Sequence, residues 1–147
     1  MLSPSLEDYL EEVYRFSLNR EVVRVTDISR KLGVSLPSVS KALSKLREKE
    51  YINYEPYGRI ELTEKGKELG DFLVDRNKLL QEFLSLIVAS CDIEAEAEAM
   101  EHYLSRETIE AISDLVSFLN EKPKCYREYI NRIENKKQKT KNEKRVQ

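Results

Sequence analysis

Val25–Ile52 reads VTDISRKLGVSLPSVSKALSKLREKEYI, and its punctuation decides the fold. Thr26 is read as the cap of a short helix, DISRKL, and Gly33 stops it. Ser35 is read as the cap of a second helix, LPSVSKALSKLREKE. Its Pro37 falls in the first turn, where a missing N–H costs little. Val39, Leu43 and Leu46 repeat at i, i+4 and i+7 and so face inward. Two short β-like runs follow, YINYE and RIELT, joined by the turn signal Pro56-Tyr57-Gly58. Upstream, Ser5 is read as the cap of a first helix with Asp8 at the capping-box position. Leu6, Leu10, Val13 and Ser17 share one stripe of that helix, and the polar stretch Asn19 to Glu21 ends it. Helix, helix, turn, helix, hairpin and helix is the order of a winged helix-turn-helix.

Beyond the hairpin the pattern is helical throughout. Thr63 caps EKGKELGDFLVDRN, which runs into KLLQEFLSLIV, with Leu80, Phe83, Leu84 and Ile87 as its buried stripe. Asp92 restarts the chain as IEAEAEAMEHYL, and Ser105 caps RETIEAISDLVSFL. Pro123 then interrupts. NKKQKTKNEKRVQ, from Asn135 on, has almost no apolar residue and reads as a disordered basic tail. The fold class is therefore mainly α. The expected domains are a winged head over 1–71, a helical domain over 72–134 and the tail over 135–147.

Composition excludes several classes. Forty per cent of the 147 residues are hydrophobic, enough for a core, while 35% are charged. No run approaches the roughly 20 apolar residues of a membrane span. MLSPSLEDYLEEVY has no basic region before an apolar run and is not read as a secretory signal, so a cytoplasmic protein is expected. Cys91 and Cys125 form no CxxC pair and are read as reduced thiols. The net charge is −2 but unevenly spread. Arg20–Lys65 carries net +3, Asp92–Glu110 net −6, and Glu121 to the end net +6. Basic regions suit nucleic acid, and an acidic cluster suits a cation.

Two sets of residues carry chemistry. In a helix-turn-helix the second helix enters the major groove. With Val39 inward, about 100° per residue turns Pro37, Lys41, Ser44 and Lys45 outward, with Ser38 nearby and Ser35 at the cap. Small hydroxyls and lysines donate to phosphates and base acceptors without bulk. Arg59, just past the hairpin turn, can reach an adjacent backbone. On an isolated helix such a face is merely solvated; followed by a hairpin, it predicts DNA binding. The second set surrounds the only histidine. Glu98, Glu101 and His102 stand at i, i+3 and i+4 and are expected to share one helix face. Carboxylates plus one imidazole suit a divalent ion such as Mn²⁺ or Fe²⁺. Asp8 and Glu11, at i and i+3 on the polar face of the first helix, are possible partners. A solvated acidic face, with Asp8 only a capping partner, fits the same spacing.

PSLEDYLEEVY, the helix-turn-helix, EYINYEPYGRIELTEKGKELG and AEAMEHYLS together resemble the diphtheria-toxin-repressor family, and within it the manganese transport regulator branch. The resemblance runs from about Pro4 to Leu119. It implies a homodimeric, metal-activated repressor that binds a double-stranded DNA operator and regulates metal uptake, with Mn²⁺ (or Fe²⁺) as co-repressor. It implies that the helical domain dimerises and that the metal lies between the first helix and that domain. Carried over, Asp8 and Glu11 match the first-helix ligands, and Glu98, Glu101 and His102 match the later cluster. Asn77, in DRNKLL, stands where the manganese branch has histidine, and offers an amide oxygen instead. One histidine and 147 residues leave no room for the ancillary histidine site and SH3-like domain of the iron-sensing branch, and Glu98 stands where that branch has cysteine. The competing reading is a winged-helix regulator that does not sense metal. No catalytic set can be built, and no enzyme is expected.

Overall fold

The computed structural model describes residues 2–19, 22–56 and 58–145, with the side chains of 142–145 left aside. Tyr57, at the middle of the expected turn, and Val146 and Gln147, at the end of the expected tail, lie outside the described residues. So do Arg20 and Glu21. Among the described residues, no helix is long and apolar enough to cross a membrane. The chain divides into two compact units, Met1–Lys78 and Leu79–Gln147.

The first unit contains α1 (Pro4–Asn19), α2 (Val25–Leu32), α3 (Leu36–Glu48), β1 (Ile52–Tyr54), β2 (Ile60–Leu62) and the first two-thirds of α4 (Glu64–Leu86). Gly33 adopts φ 64°, the left-handed conformation that ends α2, and its N–H returns to the Ser29 carbonyl. Ser35 Oγ accepts from the Ser38 N–H at 3.3 Å and caps α3. Together these two residues set the turn of the helix-turn-helix. β1 and β2 pair antiparallel, Ile52 with Leu62 and Tyr54 with Ile60. The hairpin turn closes through Gly58 N–H to the Glu55 carbonyl, 2.8 Å. Ile60 also bridges Val23, so the segment before α2 lies along the far edge of the hairpin.

Two caps differ from expectation. α1 starts at Pro4, with the Leu6 and Glu7 N–H groups bonded to the Ser3 carbonyl, so Ser5 is inside the helix. Pro4 favours this start because its fixed φ suits a first helical position. α2 starts one residue before Thr26: Asp27 reaches back to the Arg24 N–H at 3.2 Å and makes Arg24 the cap.

One core serves the whole unit. Leu10, Val13, Ile28, Val39, Leu43, Leu46, Ile52 and Leu73 are essentially sealed from solvent. Each such side chain contributes about 1.5–3 kcal/mol relative to exposure. Leu73 belongs to this core, so the compact division falls between Lys78 and Leu79, later than the expected 71/72. Glycines let α4 approach closely. A Cβ on Gly66 would sit 1.9 Å from the Tyr51 carbonyl oxygen, and one on Gly70 would sit 2.6 Å from Tyr14.

The second unit holds the end of α4 with α5 (Ile93–Glu101), α6 (Arg106–Glu121) and α7 (Pro123–Arg145). Leu80, Leu84, Ala97 and Ile109 form its core, flanked by Phe83, Ile87, Met100 and Ile112. Asp92 and Ser105 cap α5 and α6 as expected. α7 is tied down by Tyr129, whose hydroxyl donates to the Ile87 carbonyl at 2.8 Å. The segment from Asn135, expected to be disordered, continues α7 to Arg145. It contains no Gly or Pro, and Lys, Gln and Glu are good helix formers.

Candidate DNA-reading face and metal-ligand residues

In the first unit α3 turns Val39, Ala42, Leu43 and Leu46 into the core. The opposite side is exposed, and it carries Ser35, Pro37, Ser38, Lys41 and Lys45. Ser44 is the exception among the predicted contacts. It is half-buried, and its hydroxyl donates to the Ser40 carbonyl at 2.9 Å, one turn back on its own helix. Arg59 is exposed on the hairpin. Between α3 and the hairpin runs a groove of about 890 Å³, bordered by Thr26, Leu36, Ser40 and Ser44 on one side and by Tyr54 and Arg59 on the other. Arg47 ties α3 to the hairpin by donating to the Tyr54 carbonyl at 3.2 Å. The sequence reading did not single out Leu36, whose apolar side chain is 47% exposed. Exposed lysines, hydroxyls and an apolar edge along one helix can contact phosphates, base edges and thymine methyls respectively.

The six predicted metal ligands divide between the units. Asp8, Glu11 and Asn77 belong to the first. Glu11 is buried, at 8% exposure, and not on a polar face. Arg15, one turn on, covers it and donates Nε–H to Glu11 Oε1 at 3.1 Å. Asp8 is half-buried. Beside them, burial pushes the Glu12 carboxyl up; Lys31 and Arg15 oppose the rise, while Glu11 and Asp8 add to it. α1 and α4 run antiparallel through two cross-links. Arg76 Nη2 donates to Glu7 Oε2 at 3.0 Å, and the Tyr14 hydroxyl donates to Asp71 Oδ1 at 2.7 Å. That register sets Asn77, half-buried on α4, level with the first turns of α1. The Glu7–Arg76 ion pair was invisible to sequence reading, because its members are 69 residues apart.

Glu98, Glu101 and His102 belong to the second unit and differ in burial. α5 ends at Glu101, and His102 is its C-cap. Glu101 is buried to 2% exposure beside the fully buried Ala97, whereas Glu98 is exposed. The His102 side chain is mostly buried and brings Nε2 to 3.7 Å from Glu101 Oε1. α5 packs Ala97 into the core with Leu80, Leu84 and Ile109, and Glu101, one turn further on, is buried while Glu98 stays in water. Apart from the exposed Glu98, these donors are carboxylate oxygens at least partly withdrawn from solvent, with one amide oxygen and one imidazole. An ionised carboxylate is costly to bury without a cation near it. Oxygen donors with one imidazole fit Mn²⁺ or Fe²⁺ better than the soft, thiolate-loving ions.

Residues 1–60 match the family described as "Iron dependent repressor, N-terminal DNA binding domain". Residues 63–129 match "Iron dependent repressor, metal binding and dimerisation domain". A protein of Bacillus pumilus named HTH-type transcriptional regulator MntR is 43% identical over 82% of this chain and 85% of its own length. This chain belongs to the diphtheria-toxin-repressor family, in its MntR branch. A second MntR, from Geobacillus kaustophilus, is 42% identical over 82% of this chain and 86% of its own length. Among solved structures the family fold recurs in the manganese regulator SloR, at TM-score 0.69 and 28% identity, over 80% of this chain. It recurs also in a manganese-dependent transcriptional repressor complexed with manganese, at TM-score 0.68 and 26% identity, over 77% of this chain. This chain spans only 55% and 53% of those two proteins, about half their length.

Proposed function

We propose that this protein is a Mn²⁺-activated, homodimeric repressor that binds a DNA operator and shuts off metal-ion uptake when the metal is plentiful. Membership of the MntR branch carries the reading, and the withdrawn carboxylates of α1 and α5 support it. Asp8, Glu11, Asn77, Glu101 and His102 are the residues we assign to the metal, with Glu98 at their exposed margin. Fe²⁺ is the alternative ion. The bound ion supplies positive charge that offsets the carboxylates. Before it binds, Asp8 and Glu11 on one unit and Glu98 and Glu101 on the other carry like charges, which oppose a fixed arrangement of head and dimerisation domain. Relief of that repulsion holds the two heads of a dimer at one spacing. DNA half-sites about 34 Å apart demand such a spacing. Ser35, Pro37, Ser38, Lys41 and Lys45 then face the major groove, Arg59 contacts the adjacent backbone, and Ser44 acts from the groove wall. The protein acts in the cytoplasm and has no catalytic role.

The test is a titration of metal-stripped protein with Mn²⁺, Fe²⁺ (without oxygen) and Zn²⁺, following fluorescence anisotropy of a labelled operator duplex. A large gain in affinity with Mn²⁺ or Fe²⁺, lost in His102→Ala, is expected. Equal affinity with and without every metal, from folded dimer, would replace this reading with a second one. In that reading the head binds DNA without sensing metal, and the amide of Asn77 is its specific support, because an amide oxygen is a weaker ligand than imidazole.

A further inference from the structure

α7 changes character along its length. At about 100° per residue, Tyr126, Tyr129, Ile130 and Ile133 lie within one arc of roughly 100°. All four are half-buried, and Tyr129 is bonded to the Ile87 carbonyl. The same arc then continues as Lys137 and Thr140, with Lys141 about 20° beyond its edge. Packing therefore stops at Ile133, while the helix goes on to Arg145. That extension is about 18 Å long at 1.5 Å per residue. Every side chain described in it, Glu134 to Lys141, is exposed. It has six basic residues against Glu134 and Glu143, and no apolar residue. The family domain ends before it, at residue 129.

A helix this short is marginal by itself, and its described side chains bury nothing. What it adds is charge at the end of a tethered arm. We propose that the α7 extension is a second, sequence-independent DNA contact, in which Lys136, Lys137, Lys139 and Lys141 bind duplex phosphates beside the site occupied by the winged head. Duplex DNA is the favoured polyanion because the head, on the function proposed above, already brings it to the protein. A tethered arm then meets phosphates at high effective concentration. Lysine is a mobile point charge suited to a backbone contact with no base readout.

The experiment compares the parent with the variant carrying Lys136→Gln, Lys137→Gln, Lys139→Gln and Lys141→Gln. Gln keeps the helix propensity and removes the charge. Affinity for a labelled mixed-sequence 30-bp duplex is measured from 50 to 200 mM salt, with and without Mn²⁺. If two lysines of each arm reach phosphates, a dimer releases counterions from four, and the slope of log affinity against log salt is shallower by roughly 3.6 in the variant. Slopes equal within one unit would overturn the proposal. So would loss of binding to anionic phosphatidylserine vesicles in the variant with the DNA slope unchanged, which would make the arm a lipid contact. A slope change that is present whether or not Mn²⁺ is added, beside a head indifferent to Mn²⁺, would sustain the arm and remove the metal reading. Parent protein that binds no duplex under any of these conditions would remove both.

Discussion

Replacing Arg76 by Met tests the link between α1 and α4 most directly. Arg76 donates to Glu7 at 3.0 Å, and the two side chains are only 7% and 15% exposed. Removing the cation of a buried pair costs about 3–5 kcal/mol, because the carboxylate stays in a poorly solvated place. Glu7 retains some water, so the lower end applies, about 3 kcal/mol. For a chain of this size that lowers the melting temperature by about 10 °C. The double variant Glu7→Met/Arg76→Met replaces both charges with apolar groups of similar length. It should recover most of the loss, giving a coupling of about 2 kcal/mol or more in a double-mutant cycle. Calorimetry and urea denaturation of the four proteins measure it. Mn²⁺ adds a second readout: on the proposed function the Arg76→Met protein has more uncompensated negative charge on α1, so saturating Mn²⁺ should raise its melting temperature more than the parent's. An Arg76→Met protein within about 0.5 kcal/mol of the parent, or additive single losses, would show that the pair is too well hydrated for this reasoning.

Three further outcomes are expected. Gly66→Ala places a methyl group where the Tyr51 carbonyl oxygen lies 1.9 Å away; backbone must move, and the urea midpoint should fall by the equivalent of more than about 2 kcal/mol. Ser35→Ala removes the cap of α3, costing about 1 kcal/mol of stability; an operator affinity that also drops about tenfold marks the hydroxyl as a DNA contact, and an unchanged affinity leaves it a cap alone. Asn77→His substitutes an imidazole for the amide and should tighten Mn²⁺ binding at least about tenfold by calorimetric titration; no gain would mean that residue 77 does not face the ion.

The helix-turn-helix was legible because each of its joints is set by one local residue. Gly33 supplies a left-handed φ, Ser35 supplies a cap, and both are visible in the letters. The inward stripe Val39, Leu43, Leu46 is likewise a local periodicity, and the structure buries all three. Errors arose where two residues competed for one role. Pro4 outcompeted Ser5 for the start of α1, and Asp27 set the cap of α2 at Arg24 in place of Thr26. The residues proposed as ligands were chosen by residue type and spacing, which carry no information about their surroundings. Glu11 is buried and paired with Arg15, Glu101 is buried, and Glu98 is exposed. Burial of a charged side chain depends on what the rest of the chain brings to it, and neither the Glu7–Arg76 pair nor the Val23–Ile60 bridge has any local signature. The tail was misread for another reason: low apolar content argues against a packed element, but it does not prevent a helix.

The end of packing at Ile133 has a consequence for how this chain can change over generations. Substitutions in the second-unit core are held in check by volume, since Leu80, Leu84, Ala97 and Ile109 fit one another. Among the described side chains after Ile133 no such check operates, and residues there can be exchanged without disturbing the core. The last turns of α7 are therefore free to drift in every property except charge. Length, sequence and even helicity should vary among close relatives there, and a positive balance that persisted through such variation would be the mark of selection acting on the arm itself.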